Sequence, residues 1–426
     1  MIELGWADVE RLGLGELRGT PADGVVRRVH ADSREAQSGD LFVALNTGVR
    51  YVDDALARGA AALVPTDQHT ALAALASLVR SRSDARVVAV VGSTGKTSTK
   101  DALGALCAAV TPTVFAGSSQ NNEIGLPLTV LRLEPETRVL VTEMGMRGLG
   151  QIAELCAIAR PDVALVTSIG PEHLELVGTV ENVARANAEA IEALPPGGIA
   201  VVPADAPELE PYLGRAPVEL RRFDPSTVMR TGDGRWRYHV AGHRLELELP
   251  FDQRHLAENV LSALTAYHAL GLPLERAQEG ATHIRPSAWR GELHPLPGDG
   301  FVVNDAYNAN PVSMRAALED LSERADGRRR VAILGEMAEL GAESARYHAR
   351  IRDLVDTLGI EVLVAVGEPA RAYLGATAEE NWIPDAASFG QVAGVLRPRD
   401  AVLVKASRAV GLEGIAAEIE KIASAW

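Results

Sequence analysis

Gly92-Ser93-Thr94-Gly95-Lys96-Thr97-Ser98 gathers two glycines, a lysine and four hydroxyl side chains within seven residues. That set suits a triphosphate. Backbone N–H groups at the start of a helix face an anion, and the helix dipole adds favourable potential. Lys96 has the length to reach β- and γ-phosphates, and the Thr97 hydroxyl is an oxygen ligand for Mg²⁺. The loop is shorter than the usual GxxxxGK[ST] pattern and reads GxxGKT from Gly92. A glycine-rich turn with an ordinary surface lysine is the plainer alternative. The flanking residues favour phosphate. Val87 to Val91 is apolar and mostly β-branched, as a strand buried on both faces requires, and Thr99 to Ala109 is compatible with a helix. A loop lysine of this kind is expected to carry little packing.

Other residues with usable chemistry fall at similar places. Glu143 follows the strand pattern Val139 to Thr142, where a Mg²⁺-bound site beside a phosphate loop needs an acid. His173 lies in the loop after a third such run, Val163 to Thr167, and reads as a metal or phosphate ligand. Taken alone, the first could be a helix-capping acid and the second a structural histidine. The polar, glycine-bearing loop Gly117 to Pro127 contains Asn121 and Asn122 and lies between two regular elements beside the phosphate loop, where it could touch ligand. Asp305 to Pro311 joins a strand to a helix, the position at which open α/β sheets bind ligands, and carries Asn308 and Asn310. His255 and Asn259 are four apart on one helix and share a face, so either could contact a base. Ser33 and Arg34 could hold a further phosphate, arginine by a bidentate contact, or form a solvated turn.

These residues need elements to position them, and the chain supplies three sets. Residues 1–84 read as a small α/β domain, with a strand at 41–45, a helix at 52–58, a strand at 61–64 and a closing helix at 70–79. Residues 85–292 carry the phosphate loop and a succession of buried strands. They include a helix from Thr179 to Ile191, a strand at 199–202 and a charge-rich, alternating stretch from Ala216 to Leu249. Residues 293–426 alternate strand and helix regularly: 301–304, 311–324, 331–334, 343–358, 362–366, 401–404 and 411–422. The fold class expected is α/β, with two doubly wound sheets behind a smaller first domain.

At 426 residues the chain is too long for one core. Lys plus Arg 42 against Asp plus Glu 57 gives −15, which argues against nucleic acid or an anionic membrane as the main partner. No apolar run is long enough to span a bilayer, and Met1 to Trp6 has no signal-like pattern. Cys107 and Cys156 make neither a disulfide framework nor a convincing metal set, so the expected location is a reducing cytoplasm.

The sequence resembles the Mur ligases over nearly its whole length. Val91 to Ser98 is similar to their short phosphate loop, and Asp32-Ser33-Arg34 with Gly39 to Leu45 is similar to their first domain. Gln120 to Pro127, Asn304 to Pro311 and Leu334 to Gly341 resemble the branch that attaches D-alanyl-D-alanine. An Asp-Asn-Pro-Arg motif, found in the branch that adds the diamino acid, is absent.

The resemblance implies an enzyme with a substrate-binding first domain, a central P-loop ATPase domain and a Rossmann-like third domain. It would be an ATP-dependent, Mg²⁺-assisted ligase of cell-wall (peptidoglycan) synthesis. Its partners would be UDP-N-acetylmuramoyl-tripeptide and D-alanyl-D-alanine, and a monomer is expected. Lys96, Glu143 and His173 would be catalytic, with Thr97, Glu143 and His173 holding metal. Gly92 to Ser98 would hold phosphate, Asn259 the adenine, and Arg290, Asp305, Asn308 and Asn310 the nucleotide side of the third domain. Ser33, Arg34, Asn121 and Asn122 would meet substrate. Lys405 to Arg408 resembles the family's Lys-Gly-Ser-Arg.

Two departures stand out. The family's carbamylated lysine, which binds a second Mg²⁺, aligns with Asn187, and Glu172 is then a better substitute ligand than Glu189, which faces away from position 187. A helix start that usually reads Gly-Arg-His-Asn is here Gln253-Arg254-His255-Leu256. The competing readings are another amide ligase of this superfamily, such as one extending folate with glutamate, and a nucleotide-binding switch without ligase chemistry.

Overall fold

A strand that is apolar on both faces must be covered on both, and the central sheet is built that way. In the computed structural model, which describes residues 1–117, 120–214 and 217–426, six parallel strands run in the order Glu219–Phe223, Ile199–Pro203, Val163–Val166, Arg86–Val91, Val139–Glu143, Thr113–Phe115. Ser118 and Ser119 of the polar loop, and Ala216 at the start of the charge-rich stretch, lie outside the described residues. Arg86–Val91 is where the strand order reverses: the chain moves to one side for the next two strands and to the other for the three after them. Its carboxyl end therefore lies between those of Val139–Glu143 and Val163–Val166, at the crevice where this architecture binds ligands.

On one face, helix Lys96–Ala108 packs against the long helix Arg254–Ala269. Ala257, Ala263 and Ala266 on that long helix are fully buried in the same core as Leu103, Leu106, Leu261 and Leu264. Each such leucine contributes about 2 kcal/mol. The first of these helices starts at Lys96, one turn earlier than the sequence pattern indicates. On the other face lie helices Gly125–Val130, Gln151–Ala159 and Val180–Glu192. Helix Gln68–Ser81 of the first domain packs on the first two of these, and Asp67 caps it by accepting the Thr70 N–H.

The first domain has a four-stranded sheet ordered Gly15–Arg18, Ala61–Pro65, Leu41–Val43, Val29–His30. The charge-rich stretch forms a three-stranded antiparallel sheet, Met229–Arg230, Trp236–Val240 and His243–Leu247. The third domain's sheet runs Glu292–Pro295, Phe301–Asn304, Ala401–Lys405, Arg330–Gly335, Val362–Val366, Glu379–Ile383, parallel except for the first strand. Glu292 already pairs with Asn304, so this sheet begins at least one residue before position 293. Three of its four inner strands lead into Asp305, Glu336 and Lys405 at their ends, and two of these residues face the crevice of the central sheet across one cleft. Among the described residues no helix is long and apolar enough to cross a membrane.

Candidate active site

The phosphate loop is held in place by its neighbours. Gly92 donates its N–H to Asn187 Oδ1 at 2.6 Å, Ser93 to the Ser168 carbonyl at 2.9 Å, and Thr94 to the Ser168 hydroxyl at 2.9 Å. Those three donors are occupied, so the N–H groups that can face an anion are those of Gly95 and of the first turn of helix Lys96–Ala108. Gly92 has a φ of 127°, and a Cβ there would lie 2.2 Å from Thr167 Oγ1. Gly95, at φ 79°, would place a Cβ 2.4 Å from Asn259 Oδ1. Only glycine lets the loop lie this close to both walls.

Lys96 is more than a loop lysine. Its Nζ donates to Glu172 Oε1 at 2.9 Å and to the Gly92 carbonyl. The expectation that it carries little structural duty is therefore corrected: the ammonium is already shared between a carboxylate and the loop backbone. The Glu172 pairing holds the cation at the mouth of the loop.

Glu143, at the end of its strand, is buried. Its Oε1 accepts from Asn121 Nδ2 at 2.8 Å, while Oε2 is buried with no hydrogen-bond partner. An unpartnered buried carboxylate oxygen is costly unless a cation completes it. Together with the buried Thr97 hydroxyl it offers the hard oxygen donors that Mg²⁺ prefers, so the residues present fit that ion. His173 lines the same cleft. Its Nδ1 meets the Glu339 carboxylate and its Nε2 lies 3.6 Å from Glu172 Oε1.

The third domain contributes the opposite wall. Lys405 Nζ pairs with Asp305 and donates to the Asn308 carbonyl at 2.9 Å, which ties the Asp305–Asn310 loop to the end of the neighbouring strand. Asn310 caps helix Pro311–Ala325: its Oδ1 accepts the Ser313 N–H at 2.9 Å. The Arg290 guanidinium stacks 3.9 Å from the Tyr307 ring centroid, and its buried Nε has no partner. Asn259 and His255, from the start of the long helix, also line the cleft, and burial holds the His255 imidazole below its usual pKa.

A cavity of about 780 Å³ thus brings together Ser93 to Ser98, Asn121, Asn122, Glu143, His173, Asn259, Arg290, Asp305, Asn308 and Asn310. Gly92 lies behind it in the loop. Ser33 and Arg34 do not line this cleft. Arg34 is turned back in a bidentate contact with Asp32, which holds that carboxyl at about 2, and Ser33 is buried. The two cysteines are inert by burial, which raises both thiols, Cys156 to about 12. Reading the sequence by local pattern missed the Glu172 and Glu339 contacts. The only signal for either was its place in a strand-end loop.

Comparison with known proteins follows the same outline. The family model for the Mur ligase middle domain matches residues 90–267, and that for the Mur ligase, glutamate ligase domain matches residues 289–408. The chain is 32% identical to UDP-N-acetylmuramoyl-tripeptide--D-alanyl-D-alanine ligase of Escherichia coli (strain K12), covering 96% of each chain. A crystal structure of MurF from Acinetobacter baumannii is similar with a TM-score of 0.84 and 25% identity, covering 98% of this chain and 99% of that one. MurF ligase from Thermotoga maritima, solved in complex with ADP, gives a TM-score of 0.81 and 26% identity, covering 94% of this chain and 98% of that one.

Proposed function

The chain belongs to the Mur ligase family, and from that premise we infer that it joins D-alanyl-D-alanine to UDP-N-acetylmuramoyl-tripeptide at the expense of ATP. The product is the UDP-linked pentapeptide precursor of peptidoglycan. The observation that carries the reading is the single cleft in which a phosphate loop, the half-satisfied Glu143 carboxylate and the Asp305–Asn310 loop of a second sheet meet. A nucleotide switch needs the first of these but not an opposing wall built for a second and third reactant.

The chemistry proposed has two steps. A carboxylate oxygen of the tripeptide attacks the γ-phosphorus, the bond from that phosphorus to the bridging oxygen breaks, and ADP leaves an acyl phosphate behind. The D-alanyl-D-alanine amine then adds to the acyl carbon, loses a proton, and expels inorganic phosphate as the amide forms. Anion attacking anion is opposed by charge, so the site must supply cations that act where charge accumulates. In this proposal Lys96 leaves Glu172 for the β- and γ-phosphates, and the first-turn N–H groups of its helix hold the same oxygens. Mg²⁺ held by Thr97, Glu143 and His173 would neutralise the remaining charge on those phosphates. Asn259 and Arg290 flank the nucleoside side, and Asn121 and Asn122 approach substrate from the neighbouring loop. Ser33 and Arg34 serve the UDP end from the first domain.

We place the domain divisions near residues 84 and 292 and propose a monomer, and we place the enzyme in the cytoplasm because ATP and UDP-linked sugars are held inside the cell. Mass spectrometry of a mixture of UDP-muramoyl-tripeptide, D-alanyl-D-alanine and Mg-ATP should show the pentapeptide product, with ADP and phosphate released in step. ATP hydrolysis that ignores the UDP-sugar would leave only the switch. Glutamate added to a folate would favour the other branch of the superfamily.

A further inference from the structure

Glu339 has a left-handed backbone, with φ of 60°. For a residue with a Cβ that conformation is costly, and it persists only when the surroundings impose it. Glu339 lies in the loop that follows strand Arg330–Gly335. Met337 and Leu340, on either side, are buried in the core. The backbone is pinned from three elements. Ser407 donates its N–H to the Glu336 carbonyl at 3.0 Å, and its hydroxyl accepts the Ala338 N–H at 2.8 Å. His348 Nε2 accepts the Met337 N–H at 3.1 Å, and the Tyr373 hydroxyl donates to the Gly335 carbonyl at 3.1 Å.

The loop then crosses to the central domain. Glu175 donates its N–H to the Glu339 carbonyl at 3.0 Å. At Gly341, with φ of 57°, a Cβ would come within 3.1 Å of Glu175 Cα, so glycine permits the contact. The Glu339 carboxylate meets His173 Nδ1 with one oxygen, and the other lies 3.4 Å from the Arg147 guanidinium. His173 is itself left-handed, with φ of 52°. Two residues in costly conformations, one from each domain, are joined by one hydrogen bond.

We propose that Glu339 is a positioning residue through which docking of the third domain sets the tautomer and aim of His173. The inference rests on the reading of His173 as part of the Mg-ATP site. An ionised carboxylate only accepts, so the Nδ1 that faces it is the protonated nitrogen, and in the neutral ring Nε2 then presents its lone pair. The Glu172 oxygen 3.6 Å from Nε2 is beyond hydrogen-bond distance, which leaves that lone pair available. A carboxylate behind a ligating histidine fixes the ring in this way, and losing it costs about 10–100-fold in metal affinity or activity. The central domain alone lacks this carboxylate, so its phosphate site is complete only when the third domain is in place.

The full chain carrying Glu339→Ala tests this beside Glu339→Gln, whose amide oxygen still accepts from Nδ1. Expected for the alanine variant is a fall in kcat of about 10–100-fold. The Mg²⁺ concentration giving half the maximal rate should rise, with the KM for the tripeptide substrate unchanged. The glutamine variant should recover most of the loss. A second readout needs no turnover. In long-range ¹H–¹⁵N spectra of ¹⁵N-histidine protein, the signal lost in His173→Asn should report a proton on Nδ1 in the parent and in Glu339→Gln, and shift towards Nε2 in Glu339→Ala. A folded Glu339→Ala protein with the parent's tautomer and Mg²⁺ dependence overturns the proposal. If the parent failed to ligate, the tautomer spectra would still decide it, so failure of the ligase reading stays distinguishable.

Discussion

A Lys96→Ala protein should be at least about 10³-fold slower in ligation than the parent, because it removes the one side-chain cation of the phosphate loop from a reaction between two anions. The same variant should also be less stable, a consequence that follows from the Glu172 contact. The two side chains are only 15% and 10% exposed. Deleting the lysine leaves a carboxylate in a partly dry site without its partner. A fully buried pair broken in this way costs about 3–5 kcal/mol, and solvent access here reduces that to roughly 1–3 kcal/mol. Converting the stranded acid as well, in Lys96→Ala/Glu172→Gln, should restore most of the stability and none of the activity. Thermal unfolding and phosphate release on the two variants separate the roles. Near-normal ligation by a folded Lys96→Ala protein would end the cradle reading.

How much of this arrangement was legible in the sequence depended on distance along the chain. The strands Arg86–Val91, Val139–Glu143 and Val163–Val166 announce themselves because burial on both faces demands unbroken apolar runs. Residues at their ends could be singled out for the same reason, and Glu143 and His173 both line the cleft. Strand Glu379–Ile383, by contrast, is an edge strand reading Glu-Glu-Asn-Trp-Ile, half solvated and without an alternating pattern, so nothing local marks it. Arg34 stands out as a phosphate ligand by its type and by the Asp32-Ser33-Arg34 motif. Its neighbour Asp32 claims the guanidinium at 2.9 Å, a competition that residue type does not reveal. Pairings such as Lys405 with Asp305 and Glu339 with His173 join residues far apart in sequence, and no single-chain periodicity encodes them. What was visible was each partner's position at a strand end.

Asn187 carries the last expectation, and here the contacts sharpen what the departure from the family implies. Its side chain is buried and both its polar atoms are engaged: Oδ1 accepts the Gly92 N–H at 2.6 Å and Nδ2 donates to the Val183 carbonyl at 2.9 Å. It therefore acts as an anchor for the first residue of the phosphate loop. Before nucleotide binds, neither nearby acid is a free substitute for a carbamate. Glu172 is held by Lys96, and Glu189 accepts the N–H groups of Gly150 and Ala153 at the start of helix Gln151–Ala159. Nor does another lysine stand ready, since the chain has only four: Lys96, Lys100, Lys405 and Lys421. Three are paired with Glu172, Asp101 and Asp305 respectively, and Lys421 is an exposed residue of the last helix. Carbamylation needs a free amine, which an ion-paired ammonium does not offer. Ligation should accordingly run at the same rate in buffer stripped of bicarbonate and in buffer with it restored. Asn187→Leu, of similar size but without the acceptor, strands the buried Gly92 N–H at a cost of about 1–3 kcal/mol. If the loop relaxes by about 1 Å to find water, the reacting phosphate moves with it, and kcat/KM for ATP should fall by about 10²-fold. A clear rise on adding bicarbonate to the parent would place a carbamate elsewhere. An Asn187→Leu protein with unchanged nucleotide kinetics would show that the loop holds its shape without this anchor.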